Sequence, residues 1–441
     1  MTFSQDPSQY IGTAVLDSLF RPDLDSRVLS VMINRSRLQQ RSCGHSLNMG
    51  FSGQSVLAVP HSPDRIMLEA RGNYADSRNR TFSHKLYEYP ASGDAADFRN
   101  EYGFTPERSW AWAAKLSYWS IRKKNWTFQP YYEFGYNYRS DDRALMRLDR
   151  LDEWGTGTLY GLGELPSVAG WQEQALDGRN SVYAAHHDDS HTLGLYLHKE
   201  PLGMNFWKWT FSLPISFTRN RLDYLRPALI DTSLTRHVTI FRPSLRGGNT
   251  WYRMDENGHV LQMQELDFGY SLEADAPSLV YGIDICDDYN PLAVTLGNPD
   301  LKNTWKHNWN VSFRHNYAAR QRILGVNAAV RLGQNALVMG YVYNKETGVQ
   351  TFRPDNVNGN WTASGGVNYS TPLDSARRIT LNTSTTVSYN HNVDLIGTDG
   401  LSSTRRSIVR NLLLTQGLRL DWRLARGVQL GAKGSGLIQI T

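Results

Sequence analysis

Cysteine is nearly missing from this chain: Cys43 and Cys286 are the two in 441 residues. That excludes a disulfide framework and leaves at most one bridge. Long hydrophobic runs are missing as well. With a mean hydropathy of −0.49 and no run of about 18 apolar residues, transmembrane helices are excluded. Charge of one sign is scarce. The 47 Lys and Arg exceed the 42 Asp and Glu by a margin that gives +5, with no basic tract of the kind that binds nucleic acid. The chain opens Met-Thr-Phe-Ser-Gln-Asp-Pro-Ser, without the basic and apolar regions of a secretory signal. Motifs of catalysis are also lacking. There is no Gly-rich phosphate loop, no Gly-x-Ser-x-Gly elbow and no His-Glu-x-x-His. Glu133 stands without a second carboxylate at a spacing useful for glycoside chemistry. No enzyme activity, catalytic residue or cofactor is expected.

What the chain has is aromatic alternation. From Asn125 to Arg139, Trp126, Phe128, Pro130, Tyr132, Phe134, Tyr136 and Tyr138 alternate with Asn125, Thr127, Gln129, Glu133, Gly135, Asn137 and Arg139. Successive side chains of a strand point to opposite faces, so one face is an aromatic wall. The stretch is long: soluble strands run to about 5–6 residues, whereas a strand crossing an outer membrane needs about 9–11. The pattern recurs at Trp110–Tyr118, Trp207–Phe217, Trp305–Phe313, Leu324–Leu332, Ile379–Tyr389 and Leu412–Leu424. Trp and Tyr number 13 and 23 against 15 Phe, a bias that suits the aromatic girdles of a membrane barrel. A soluble glycan-binding protein could carry the same bias.

The spacing predicts roughly 14 antiparallel strands in an up-and-down transmembrane β-barrel. Short connections are expected at 60–64, 121–124, 199–203, 254–258, 317–321, 371–375 and 424–427. Long ones are expected at 90–108, 151–189, 224–235, 274–303, 343–360 and 391–404. This alternation matches short periplasmic turns and long external loops. Trp126, Phe128, Tyr132, Phe134, Leu324, Val326, Leu418 and Leu420 are expected to face lipid; Asn125, Glu133, Arg331 and Arg419 are expected to face the lumen.

Two clusters could suggest metal. His186, His187, Asp188, Asp189 and His191 form one, at the end of the expected 151–189 loop; on a strand adjacent residues would face opposite sides, a loop could wrap an ion, but no second cluster completes a shell. Asp284, Asp287 and Asp288 offer oxygen ligands for calcium without EF-hand spacing. No metal site is assigned, and calcium at that loop stays open.

The segment from Asp287 and Asp288 through Asn290-Pro291-Leu292, Gly297-Asn298-Pro299-Asp300-Leu301-Lys302, Trp305 and His307-Asn308 is distinctive. It resembles the loop-to-strand signature of the Bacteroidetes outer-membrane β-barrel family, whose members look like TonB-dependent receptors. Arg242-Pro243-Ser244-Leu245, Phe268-Gly269-Tyr270-Ser271-Leu272 and Ala276-Pro277-Ser278-Leu279 extend the likeness upstream. The resemblance is close over 239–317 and weak elsewhere. It implies an outer-membrane parent that imports a scarce nutrient, in contact with membrane lipid and an energy-transducing inner-membrane partner. A surface lipoprotein is a candidate partner. Complete members carry a signal, a plug domain and barrels of about 22 strands. None of the first two is recognisable here, so residues 1–441 are expected to be a partial barrel domain, with 1–45 an ill-defined lead-in.

The signature residues are expected to be structural or ligand-facing. Each residue before Pro291 or Pro299 is held extended, and Gly297 is expected to take a positive φ in a tight turn. The loop should fold over the barrel mouth with Asp284, Asp287 and Asp288 projecting outward. The competing reading is a surface-exposed or soluble all-β carbohydrate-binding module without transport.

Overall fold

A computed structural model describes residues 35–89, 94–121, 125–200, 207–290, 292–397, 404–425 and 428–440. These residues form one sheet of 20 strands. The first five are β1 (Arg35–Ala58), β2 (Arg65–Tyr89), β3 (Asp94–Ile121), β4 (Trp126–Arg147) and β5 (Val182–Lys199). β6 (Lys208–Ser212), β7 (Ile215–Arg226), β8 (Ile230–Phe241), β9 (Ser244–Met254) and β10 (Val260–Asp275) follow. β11 (Cys286–Asn290) and β12 (Ala293–Leu296) lead to β13 (Thr304–Tyr317) and β14 (Arg322–Gln334). β15 (Ala336–Tyr343) and β16 (Gln350–Val357) precede β17 (Trp361–Pro372), β18 (Ile379–Gly397), β19 (Arg405–Ala425) and β20 (Val428–Ile440). The described α-helix is the short α1 (Trp171–Ala175). No helix among the described residues is long and apolar enough to cross a membrane.

The wall is an antiparallel meander, as the alternation predicts. Two of its strands are interrupted. β6 and β7 pair with β5 in one continuous register, and with β9 and β8 in another. The breaks fall at Pro214 and Pro243, which lack the N–H a ladder needs. Their carbonyls still accept bonds, from Arg242 N at 3.1 Å and Leu272 N at 3.0 Å. Counting β6–β7 and β8–β9 as single strands, and setting β11, β12, β15 and β16 aside as loop strands, leaves 14 wall strands. Among the described residues β1 pairs only with β2 and β20 only with β19, so the sheet does not close on itself.

The connections at one end are tight, with local chemistry to match. In the turn after β9, Asp255 Oδ1 accepts from the N–H groups of Asn257 and His259, and Gly258 takes φ 81°. Gln321 and Arg377 adopt left-handed φ of 51° and 56° in two other turns. At the other end the strands run on. β2 and β3 have 25 and 28 residues, about 80–90 Å of extended chain, about two and a half times what a crossing strand needs.

Several expected loops are therefore strand. The connection expected over 224–235 shrinks to the three residues between β7 and β8. The stretch 343–360 is largely the second half of the β15–β16 hairpin, and β1 begins inside the expected 1–45 lead-in. Cross-strand pairing satisfies backbone groups well beyond the membrane, so the strands end later than hydrophobic alternation does. Residues 148–181, in contrast, form a small lobe. Phe82, Tyr102, Leu148, Trp154, Trp171 and Ala175 make its core, with Phe82 and Tyr102 rings 5.0 Å apart.

Candidate functional site

The two faces of the sheet differ in chemistry. On one, Trp110 stacks on Tyr138 at 3.9 Å, Trp112 meets Phe134 at 4.9 Å, and Tyr270 lies 5.4 Å from Trp309. Trp126, Phe128, Tyr132 and Phe134 share that face through β4. Leu324 and Val326 lie on it in β14, and Leu418 and Leu420 in β19. Phe313, Val326 and Val367 sit side by side across three strands. Many of these apolar side chains are open, Leu418 50% and Val326 38%. Open apolar side chains that run on from strand to strand in this way are rare on soluble monomers.

The opposite face is polar. Glu133 accepts from Arg71 at 2.9 Å, Arg331 donates to Asn308 at 2.7 Å, and Arg419 pairs with Asp421 at 2.9 Å. Lys115 Nζ lies 4.5 Å from the Tyr131 ring centroid, which stacks on Tyr196. Asn125, expected on this face, instead occupies the turn before β4 at φ 59°. His186 and Asp188 lie on the polar face, and His187, Asp189 and His191 on the aromatic one. There His187 and His191 bond Tyr136 and Tyr132. Among the described residues no group of three or more His, Cys, Asp or Glu is placed to hold a metal ion.

Residues of the signature loop bridge the polar face at the long-strand end. The chain leaves β10, turns at Leu279–Gly282, and carries β11 to the tips of β2, β3, β4 and β7, several wall strands away. That reach identifies the polar face as the inner one. Ile283 anchors the loop against Ala184, Leu222 and Tyr224. Tyr289 is the tip of the bridge, and its position in sequence carries no signal that would have singled it out. Its hydroxyl accepts from Lys85 Nζ at 2.8 Å and donates to Glu101 at 3.3 Å. Its carbonyl accepts from Arg99 at 3.1 Å, and the Arg143 guanidinium stands 4.8 Å from its ring centroid. Lys85 and Glu101 form a 2.7 Å ion pair with side chains 11% and 1% exposed.

The expected outward projection of Asp287 is not found. Asp287 turns inward, 3.1 Å from Arg226 and 3.8 Å from Arg143, because these cations line the inner wall at its height. The Asp288 side chain and Pro291 lie outside the described residues. Asn290 caps its own turn, its Oδ1 accepting from Leu292 N at 3.1 Å; the Leu292 carbonyl accepts from Gln350 N. Asn298 is buried, donating to the Pro354 carbonyl at 2.9 Å and accepting from Asp300 N. Pro299 is exposed and Leu301 half-buried. Lys302 is held by its backbone, both groups bonded to the Asn356 amide.

Gly297 does not take a positive φ. It is required for a different reason: a Cβ there would overlap the Ile283 carbonyl oxygen, because two backbone segments touch at this point. The tight-turn expectation is corrected to a close approach. β12 then pairs in parallel with β16, Ala293 opposite Gln350, and β15 touches β18 in parallel at Tyr341 and Ile396.

Residues 260–430, from the start of β10 into β20, match the model of the outer membrane protein beta-barrel family. No curated protein matches the chain. Similar solved structures include the hemophore receptor HasR of Serratia marcescens, at 10% identity and TM-score 0.41, covering 92% of this chain and 71% of that one. The ferric enterobactin receptor PfeA of Pseudomonas aeruginosa is similar at 10% identity and TM-score 0.36, covering 91% and 74%. The ferric citrate transporter FecA is similar at 9% identity and TM-score 0.38, covering 92% and 71%. The two-faced antiparallel wall and the matched segment define an outer-membrane β-barrel protein. Its strands lie in the outer membrane.

Proposed function

We propose that residues 1–441 form a partial barrel domain of a TonB-dependent receptor-like protein of the Bacteroidetes type, whose full polypeptide imports a scarce nutrient. The observation that carries this reading is the bridge of β11 across the polar face of the wall, from Lys85 and Arg99 to Arg226. Among the described residues the fourteen wall strands leave two edges unpaired, which fits a larger barrel, and larger barrels enclose a lumen that side chains alone do not fill. Transport through a plugged barrel requires energy, so an inner-membrane energy-transducing protein is the expected partner, with a surface lipoprotein as a further candidate. The aromatic face, with Trp126, Phe128, Tyr132, Phe134, Leu324, Val326, Leu418 and Leu420, contacts lipid in this reading. The exposed apolar face disfavours a soluble carbohydrate-binding module.

The test is nutrient depletion from a defined medium by cells with and without the gene, each with and without an uncoupler. Depletion of at least one scarce nutrient should require both the gene and an energised inner membrane. Depletion that is indifferent to the gene, or to the uncoupler, sinks the proposal.

A further inference from the structure

We propose that the inner wall of the mouth is a binding site for a compact polyanion, kept closed by Asp287 and Tyr289 acting as an internal substitute for that ligand. The proposal rests on the import reading, for which it names the ligand's chemical class. Four cations converge on β11: Lys85, Arg99, Arg143 and Arg226. Lys85 and Arg99 have further carboxylates of their own, Glu101 and Asp97, each at 2.7 Å. Arg143 and Arg226 do not: among the described residues, Asp287 is the carboxylate within 4 Å of either. Arg143 also donates to the Asn180 carbonyl at 3.1 Å.

Arg226 is the decisive residue. Its side chain is fully buried, yet its Nε and one terminal nitrogen have no hydrogen-bond partner among the described residues. A buried guanidinium with idle donors is costly, and such donors suit an acceptor with more oxygens than one carboxylate supplies. Asp287 reaches Arg226 through one oxygen and stands at the long limit of contact with Arg143. A ligand bearing several carboxylate or phosphate oxygens could satisfy both guanidiniums and displace β11. Closure and binding then compete for the same cations, so apparent affinity is set by the fraction of open mouths.

The experiment is calorimetry on the full-length protein in detergent, with citrate and pyrophosphate as probes and raffinose as a neutral control. Asp287→Asn should tighten at least one polyanion about tenfold by removing the competing charge. Arg143→Gln in that background should abolish the gain, and raffinose should not respond. If Asp287→Asn does not assemble, Tyr289→Phe replaces it, with an expected gain of about threefold. No tightening, a gain that survives Arg143→Gln, or an equal gain for raffinose overturns the proposal. Calorimetry needs no transport, so lost uptake with retained binding would count against import alone.

Discussion

Val326→Arg tests the orientation of the wall most directly. Val326 stands four residues beyond Arg322, where β14 begins. A strand tilted by about 40° advances roughly 2.5 Å per residue along the barrel axis, which puts Val326 about 10 Å into an apolar band about 25 Å tall. Its neighbours on that face are Phe313 and Val367, so an Arg there would meet hydrocarbon near the middle of the band. The expected cost is about 2–4 kcal/mol, about thirtyfold to several hundredfold in the folded ratio. Asn327 is the control. It lies one position on, facing Ser312 and Gly366 on the inner wall, where an Arg stays in water. Asn327→Arg should cost under about 1 kcal/mol. The assay is denaturant-driven unfolding of the full-length protein from lipid vesicles, read by tryptophan fluorescence. Equal costs at the two positions, or a larger cost at Asn327, would refute the assignment of faces.

Three further outcomes are expected. Gly297→Ala should already disorder the bridge, and Gly297→Val more so, at about 1–3 kcal/mol, because any Cβ meets the Ile283 carbonyl; protease cleavage within 283–297 should rise, and an unchanged pattern would contradict the close approach. Lys85→Met should destabilise the β2–β3 tips by about 3–5 kcal/mol, since it strands the buried Glu101 charge, and adding Glu101→Leu should restore much of the loss; hydrogen exchange of the two strands measures both. The 441-residue chain expressed alone should aggregate or require detergent, because among the described residues β1 and β20 each leave an edge unpaired; a soluble, cooperatively unfolding monomer would defeat this expectation.

The wall was legible because it obeys one local rule. Alternation in β4, β13, β14 and β19 assigned both faces, and the tight turn at 254–258 follows from Asp255 and Gly258. Pairing beyond the membrane has no such signature. Nothing in the composition of β7 and β8 says that they continue to a three-residue turn, since Leu222, Tyr224 and Arg226 at the tip of β7 are covered by the remote segment around Ile283 and Asp287. The bridge was legible as a loop and illegible as a contact. Tyr289 meets Lys85 and Glu101 from 204 and 188 positions away, and only the register of β2 against β3 brings those two together. Asp287 looked like an outward ligand because its inward partners, Arg143 and Arg226, are remote in sequence. Gly297 was marked correctly as a special position, but a glycine in a sequence cannot distinguish an unusual φ from a crowded backbone.

The parallel ladder between β12 and β16 ties two loops at the long-strand end that emerge from different pairs of wall strands. Asn298 and Lys302 add side-chain and backbone bonds to Pro354 and Asn356 across the same seam. The two loops therefore form a single exchangeable part. A chimera that transplants 279–302 from a relative while keeping the resident 336–357 would break a ladder and three bonds at once, whereas moving both segments together preserves them. Diversification of the mouth by recombination is thus constrained to paired cassettes, and point changes along the seam should be tolerated only where the opposing loop changes to match.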